Sequence, residues 1–149
     1  STAEFTFEDS GSKMEAAESS NAILTMLLSA MAAIVFIVGG IGIMNVLFVS
    51  VKERTNEIGI LKAIGTSRFI ILTEFLIESA AISLIGGVIG VALSLVIAPV
   101  AGHYDIRTEV SAAACLTALG FAVLTGTLFG IYPAWKASRL EPVEALNEE

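Results

Sequence analysis

AILTMLLSAMAAIVFIVGGIGIMNVLFVSV, residues 22–51, contains no charged side chain. A helical residue rises ~1.5 Å and the hydrocarbon core of a bilayer is ~30 Å thick, so about 20 such residues are enough to cross. Two more charge-free stretches of crossing length follow, residues 79–104 and 110–135. Of the 149 residues, 55% are hydrophobic and 15% charged, whereas soluble domains hold roughly 45–50% and about 25%. The surplus is concentrated in these three runs, which predicts an all-α membrane protein with three transmembrane helices. The first run follows an acidic leader and is too long for the apolar core of a signal peptide, so it reads as a retained span.

The segments between the runs set the organisation. Ala3, Phe5 and Phe7 alternate with Glu4, Thr6 and Glu8, a period of two that predicts a short extracytoplasmic strand over Ser1–Asp9. One strand leaves its backbone groups unpaired, so a partner chain or a further part of a β-containing domain is expected to complete it. Lys13–Asn21 reads as polar helix and continues without a breaker into the first span. Lys13–Val51 could thus form one helix of roughly 58 Å, a stalk longer than the membrane is thick. The domain reading is 1–21 stalk, 22–51 span, 52–68 polar loop, 69–101 span, 110–135 span and 136–149 tail.

Residues 52–68, KERTNEIGILKAIGTSR, form the informative loop. Ile58, Leu61 and Ile64 recur at helical spacing, which predicts a short amphipathic helix. Gly65 supplies its stop, and Thr66 or Ser67 a cap for the next helix. This loop and the tail hold six of the eight Lys and Arg residues. The positive-inside rule therefore places both in the cytoplasm and the N-terminus outside, in a multi-pass plasma (inner) membrane topology. Tyr132 and Trp135 fit an aromatic belt at the cytoplasmic end of the last span.

Gly39, Gly40 and Gly42 cluster in the first span, while Gly86/Gly90 and Gly126/Gly130 form GxxxG pairs in the other two. Small residues let helices approach closely in lipid, within the chain or against a second copy. Glu74 and Glu78 lie one turn apart near the start of the second span, where a basic partner such as Arg68 or Lys62 is expected. A proton relay is the other reading of this pair. Cys115 reads as a membrane-buried thiol, and His103 is given no role. The sequence carries no phosphate-cradling loop with its lysine, no metal-ligand cluster and no nucleophile–base set. No catalytic residue, metal or nucleic-acid partner is expected.

The stretch GGIGIMNVLFVSVKERTNEIGILKAIGTSRFIILTEFLIESAAISLIGGVIGV, together with PAWKASRLEPVEAL at Pro133–Leu146, resembles MacB-type permeases of the FtsX superfamily. The likeness covers about Ile34–Leu146. It implies a four-helix ABC-exporter permease whose first helix and large extracytoplasmic domain precede this segment, supplied by an N-terminal half or a split-gene partner chain. It further implies a homodimer of permeases working with an ATP-binding subunit, which uses ATP and Mg²⁺ to drive motion across the membrane. By resemblance, Glu53–Gly65 is the coupling helix on that subunit, through Glu53, Glu57, Ile58, Gly59, Leu61, Lys62, Ala63 and Gly65. The tail braces the same interface through Pro133, Lys136, Arg139, Pro142, Ala145 and Leu146. A proton-coupled secondary transporter or membrane scaffold built on Glu74 and Glu78 is the alternative.

Overall fold

The computed structural model describes residues 2–103 and 110–143. Four helices follow in order: α1 (Thr2–Glu53), α2 (Thr55–Ala63), α3 (Arg68–His103) and α4 (Ala112–Ser138). Three of them, α1, α3 and α4, are long and apolar enough to cross a membrane. The chain divides into two compact units, Ser1–Ile37 and Val38–Glu149.

In the first unit every described residue is helical and exposed. This corrects the strand predicted over Ser1–Asp9. A lone strand would leave its backbone N–H and C=O groups without partners, whereas a helix pairs them locally. Thr6 Oγ1 also donates to the Thr2 carbonyl at 2.7 Å, and Lys13 lies 3.6 Å from Asp9 one turn away. Phe5 and Phe7 are 74% and 80% exposed on this helix.

In the second unit α3 and α4 pack along one another. Gly126 meets Ser83, Gly130 meets Ser79, and Gly87 meets Ala122 and Leu119. As the number rises on one helix it falls on the other, so the two run antiparallel. The last turns of α1 complete the unit: Gly40 lies against the Phe129 ring, and Leu47 against Gly130. The core gathers at one end of these helices, from Leu47 and Val51 of α1, Ile58 of α2, Ile71 and Phe75 of α3, and Ala134 and Ala137 of α4.

Away from that end the apolar residues point outward, as Leu84, Ile85, Val88, Leu124 and Leu128 do. Such a surface is what lipid, rather than water, covers. Hydroxyls in the long helices close onto their own carbonyls, Ser94 onto Gly90, Thr117 onto Ala113 and Thr127 onto Val123. No hydroxyl of these is left to seek water in hydrocarbon.

The helix boundaries follow local chemistry. Gly65 takes φ +99°, and its N–H bonds to the Lys62 carbonyl while Thr66 N–H reaches back to Leu61. This pair of bonds is a Schellman stop, which needs a left-handed residue and favours glycine. Ser67 Oγ accepts from Ile70 N–H to start α3, and Ser111 Oγ accepts from Ala114 N–H to start α4. Helix α4 continues past Trp135, so residues 136–138 are its last turn rather than tail.

Candidate functional site

The core end of the second unit presents three arrangements of side chains. The first centres on Arg54, the single residue between α1 and α2. Its backbone, at φ −101° and ψ 12°, leaves the helical region, yet its N–H still reaches Ser50 and its carbonyl still accepts from Ile58. The chain therefore bends without losing backbone hydrogen bonds. The guanidinium spreads over two helices. It lies 2.7 Å from Glu74, 3.3 Å from Glu57 and 3.8 Å from Glu78, with the Phe75 ring 5.4 Å away. Hydrogen bonds to Glu74, then to Glu57, raise its pKa beyond the ordinary arginine value. Ser50 adds a 3.3 Å bond to Glu78.

This corrects the partner expected for Glu74 and Glu78: it is Arg54, not Arg68 or Lys62. A planar guanidinium with five donors spread over three nitrogens can reach several carboxylates at once. The clue in the sequence was the i, i+4 spacing of the two glutamates facing a loop with a cation at its first bend.

The second arrangement is α2 itself. Thr55, Ile58 and Gly59 are buried against the chain's own core. Ile58 and Gly59, which the resemblance implies for the partner interface, are both buried in this chain. Lys62 is half-buried and donates to the Leu140 carbonyl at 2.6 Å. Removal from water, then the nearby Arg68 charge, pushes its pKa below the ordinary lysine value, with Glu141 opposing. Leu61 is half-buried beside it. The outward side carries Glu53, Asn56, Glu57, Ala63 and Gly65 around two large apolar residues, Ile60 and Ile64, 50% and 74% exposed. Ile64, expected on one stripe with Ile58 and Leu61, is thus exposed where Ile58 is buried. Pro142 is half-buried and Pro133 fully buried; Ala145 and Leu146 lie outside the described residues.

The third arrangement joins the ends of α1 and α4. Phe48 and Tyr132 meet edge to face at 5.6 Å, and Tyr132 stacks on Trp135 at 6.4 Å. Lys136 Nζ lies 5.5 Å from the Phe48 centroid, and the Arg139 guanidinium 4.7 Å from that of Trp135. Phe48 thus joins Tyr132 and Trp135, the rings expected for an aromatic belt, and Lys136 and Arg139 lie against this group.

The packing glycines separate into two classes. Gly40, Gly126 and Gly130 are buried with neighbours where a side chain would stand, and Gly87 is nearly as crowded. Gly39, Gly42, Gly86 and Gly90 have nothing within 4 Å of that position. The GxxxG of α4 is used within the chain, and the one in α3 is not.

Comparison with known proteins agrees with this architecture. The family model described as FtsX-like permease C-terminal matches residues 29–142. The chain is 50% identical over 139 residues to the macrolide export ATP-binding/permease protein MacB of Bdellovibrio bacteriovorus, covering 91% of this chain and 21% of that protein. It is 46% identical over 147 residues to MacB 2 of Aeromonas hydrophila, covering 97% and 23%. It is 45% identical over 126 residues to the pyoverdine export ATP-binding/permease protein PvdT of Pseudomonas putida, covering 85% and 19%. The chain thus spans about a fifth of the length of these relatives. With the family match running from the middle of α1 to beyond the end of α4, and relatives near half identical over almost every residue, this multi-pass membrane chain belongs to the FtsX-like permease family.

Proposed function

We propose that this chain is the C-terminal membrane part of an ABC-type exporter permease, and that α2 is the point at which an ATP-binding subunit or domain grips it. ATP and Mg²⁺ belong to that partner. Motion imposed on α2 passes through Arg54 to α3 and through Lys62 to the end of α4, and so to the opposite side of the membrane. The α2 end is cytoplasmic and the N-terminus extracytoplasmic, in keeping with the six of eight basic residues on the α2 and C-terminal side. A second permease copy and the remaining part of the permease complete the working unit.

The observation that carries this reading is the outward face of α2. A nine-residue helix, held from beneath by ties to α3 and to Leu140 just beyond the end of α4, presents exposed Ile60 and Ile64 in a rim of Glu53, Asn56 and Glu57. An anchored helix transmits force, and an apolar pair with a polar rim is the composition of a docking core. Gly59, Ile58 and Pro133 support that face from within. The relatives named for a macrolide and for pyoverdine share this segment, so cargo choice is assigned to other parts of the exporter.

The test is a charge placed on the docking face of the full-length permease. Ile60→Glu with Ile64→Glu should lower affinity for the ATP-binding partner about tenfold or more, with membrane insertion unchanged. Gly102→Leu, at an open position near the far end of α3, is the control and should leave binding intact. If the double variant binds the ATPase and exports like wild type, α2 is a surface helix resting on lipid, and the docking assignment fails.

A further inference from the structure

We propose that the ends of α1 and α4 form a binding site for the headgroup of an anionic phospholipid, built from Phe48, Tyr132, Trp135, Lys136 and Arg139. Lys136, in the last turn of α4, and Arg139, the residue that caps it, are three positions apart, close enough for like charges to repel. Among the described residues neither forms an ion pair, although the chain has 15 acidic residues against 8 basic ones. Arg54, by contrast, draws three glutamates onto itself. The α4 cations are held over ring faces instead, which attracts and orients them without neutralising them. An anion is what this pair of cations lacks among the described residues.

Position selects the kind of anion. Tyr132 and Trp135 are 52% and 45% exposed at the end of a helix long and apolar enough to cross the membrane. Rings with one polar edge settle at headgroup depth, and the cations over and beside them lie at that same depth. A phosphodiester whose acyl chains run down the apolar side of α4 would meet both charges at once, with the Tyr132 hydroxyl and Trp135 indole N–H as further donors. Attraction of basic residues near the surface to anionic lipid supplies the preference over zwitterionic lipid.

Trp135 is the only tryptophan in the chain, so its fluorescence reports this site alone. The chain is placed in nanodiscs of phosphatidylcholine containing brominated phosphatidylglycerol or, at equal mole fraction, brominated phosphatidylcholine, and quenching is compared. Both leaflets have the same composition, so the result is independent of orientation. It involves neither ATPase nor export, and therefore succeeds or fails separately from the docking assignment. At low salt the anionic lipid should be preferred at least about threefold, and the preference should shrink in 0.5 M salt as charges are screened. Lys136→Gln with Arg139→Gln should bring the ratio to about one while helicity by circular dichroism is unchanged. Equal quenching by the two lipids in wild type would overturn the site, leaving the cations for an acidic protein surface. A preference that survives the double substitution would overturn it too, because the selecting charges would then lie elsewhere.

Discussion

Gly130→Ala adds one methyl group where α3 and α4 are in close contact. The new Cβ would stand 2.6 Å from Ser79 Cβ and 3.3 Å from Leu47 Cδ1. Carbon atoms rest about 3.5–4.0 Å apart, so the first contact is about 1 Å too short. Neither neighbour has free space to move into, since Ser79 and Leu47 are both 0% exposed. Overpacking of this kind costs about 1–3 kcal/mol, which shifts the unfolding equilibrium by roughly 5- to 150-fold. Gly90→Ala is the matched control: nothing lies within 4 Å, and alanine is the better helix former by up to about 1 kcal/mol. Reversible unfolding in mixed micelles, followed through Trp135, reads both variants. A second substitution sharpens the test. Ser79→Gly removes the atoms that clash, so Gly130→Ala combined with Ser79→Gly should be more stable than the sum of the single effects, by about 0.5–3 kcal/mol. If Gly130→Ala is as stable as Gly90→Ala, or the double variant is merely additive, the close approach of α3 and α4 at this point is refuted.

Two further outcomes are expected. In a Cys115→Ala background, an impermeant maleimide applied to intact cells should label Ser10→Cys and not Val143→Cys, a position 69% exposed; the opposite pattern would reverse the orientation. Lys62 should make stability depend on pH: its folded pKa lies below the unfolded 10.5, so between the two values the unfolded chain holds more protons and stability rises with pH. The stability of wild type relative to Lys62→Met should therefore climb as pH approaches 10.5 and level off above it, and a flat difference would contradict the burial of this amine.

The three spans were legible because crossing a bilayer imposes a length and forbids charge, and both are visible in a string of letters. The stop at Gly65 and the cap at Ser67 were legible for a similar reason, since each is a local event decided by one residue's backbone or hydroxyl. Which glycines pack was not legible. Gly86–Gly90 and Gly126–Gly130 have the same spacing, but only the neighbours across the helix pair decide that one meets Ser79 and Ser83 while the other faces outward. The partner of Glu74 was missed because Arg54 stands 20 positions away in the chain, and only the fold brings its guanidinium to the start of α3. The strand assigned to Ser1–Asp9 failed because alternation over nine residues says nothing about whether a second strand exists to bond to. Of the stripe expected on α2, Ile58 is buried whereas Ile64, the residue that caps the helix, is exposed, and Ile60 lies outward because it stands roughly 200° around the helix from Ile58.

The bond from Lys62 to the Leu140 carbonyl has a consequence for how the chain is made. The two residues are 78 positions apart, and at about 5–20 residues per second a ribosome takes roughly 4–16 s to cover that distance. Throughout that interval the face of α2 formed by Thr55, Ile58 and Gly59 has no Ala134 or Ala137 to cover it, and Lys62 has no carbonyl to bind. An amphipathic helix in that condition has one comfortable resting place, the headgroup layer beside it. The last turn of α4 thus closes a core begun earlier by α1 and α2. A stop codon after Tyr132 would delete Ala134, Ala137 and Leu140 together, and strand the earlier helices in the bilayer with that core still open.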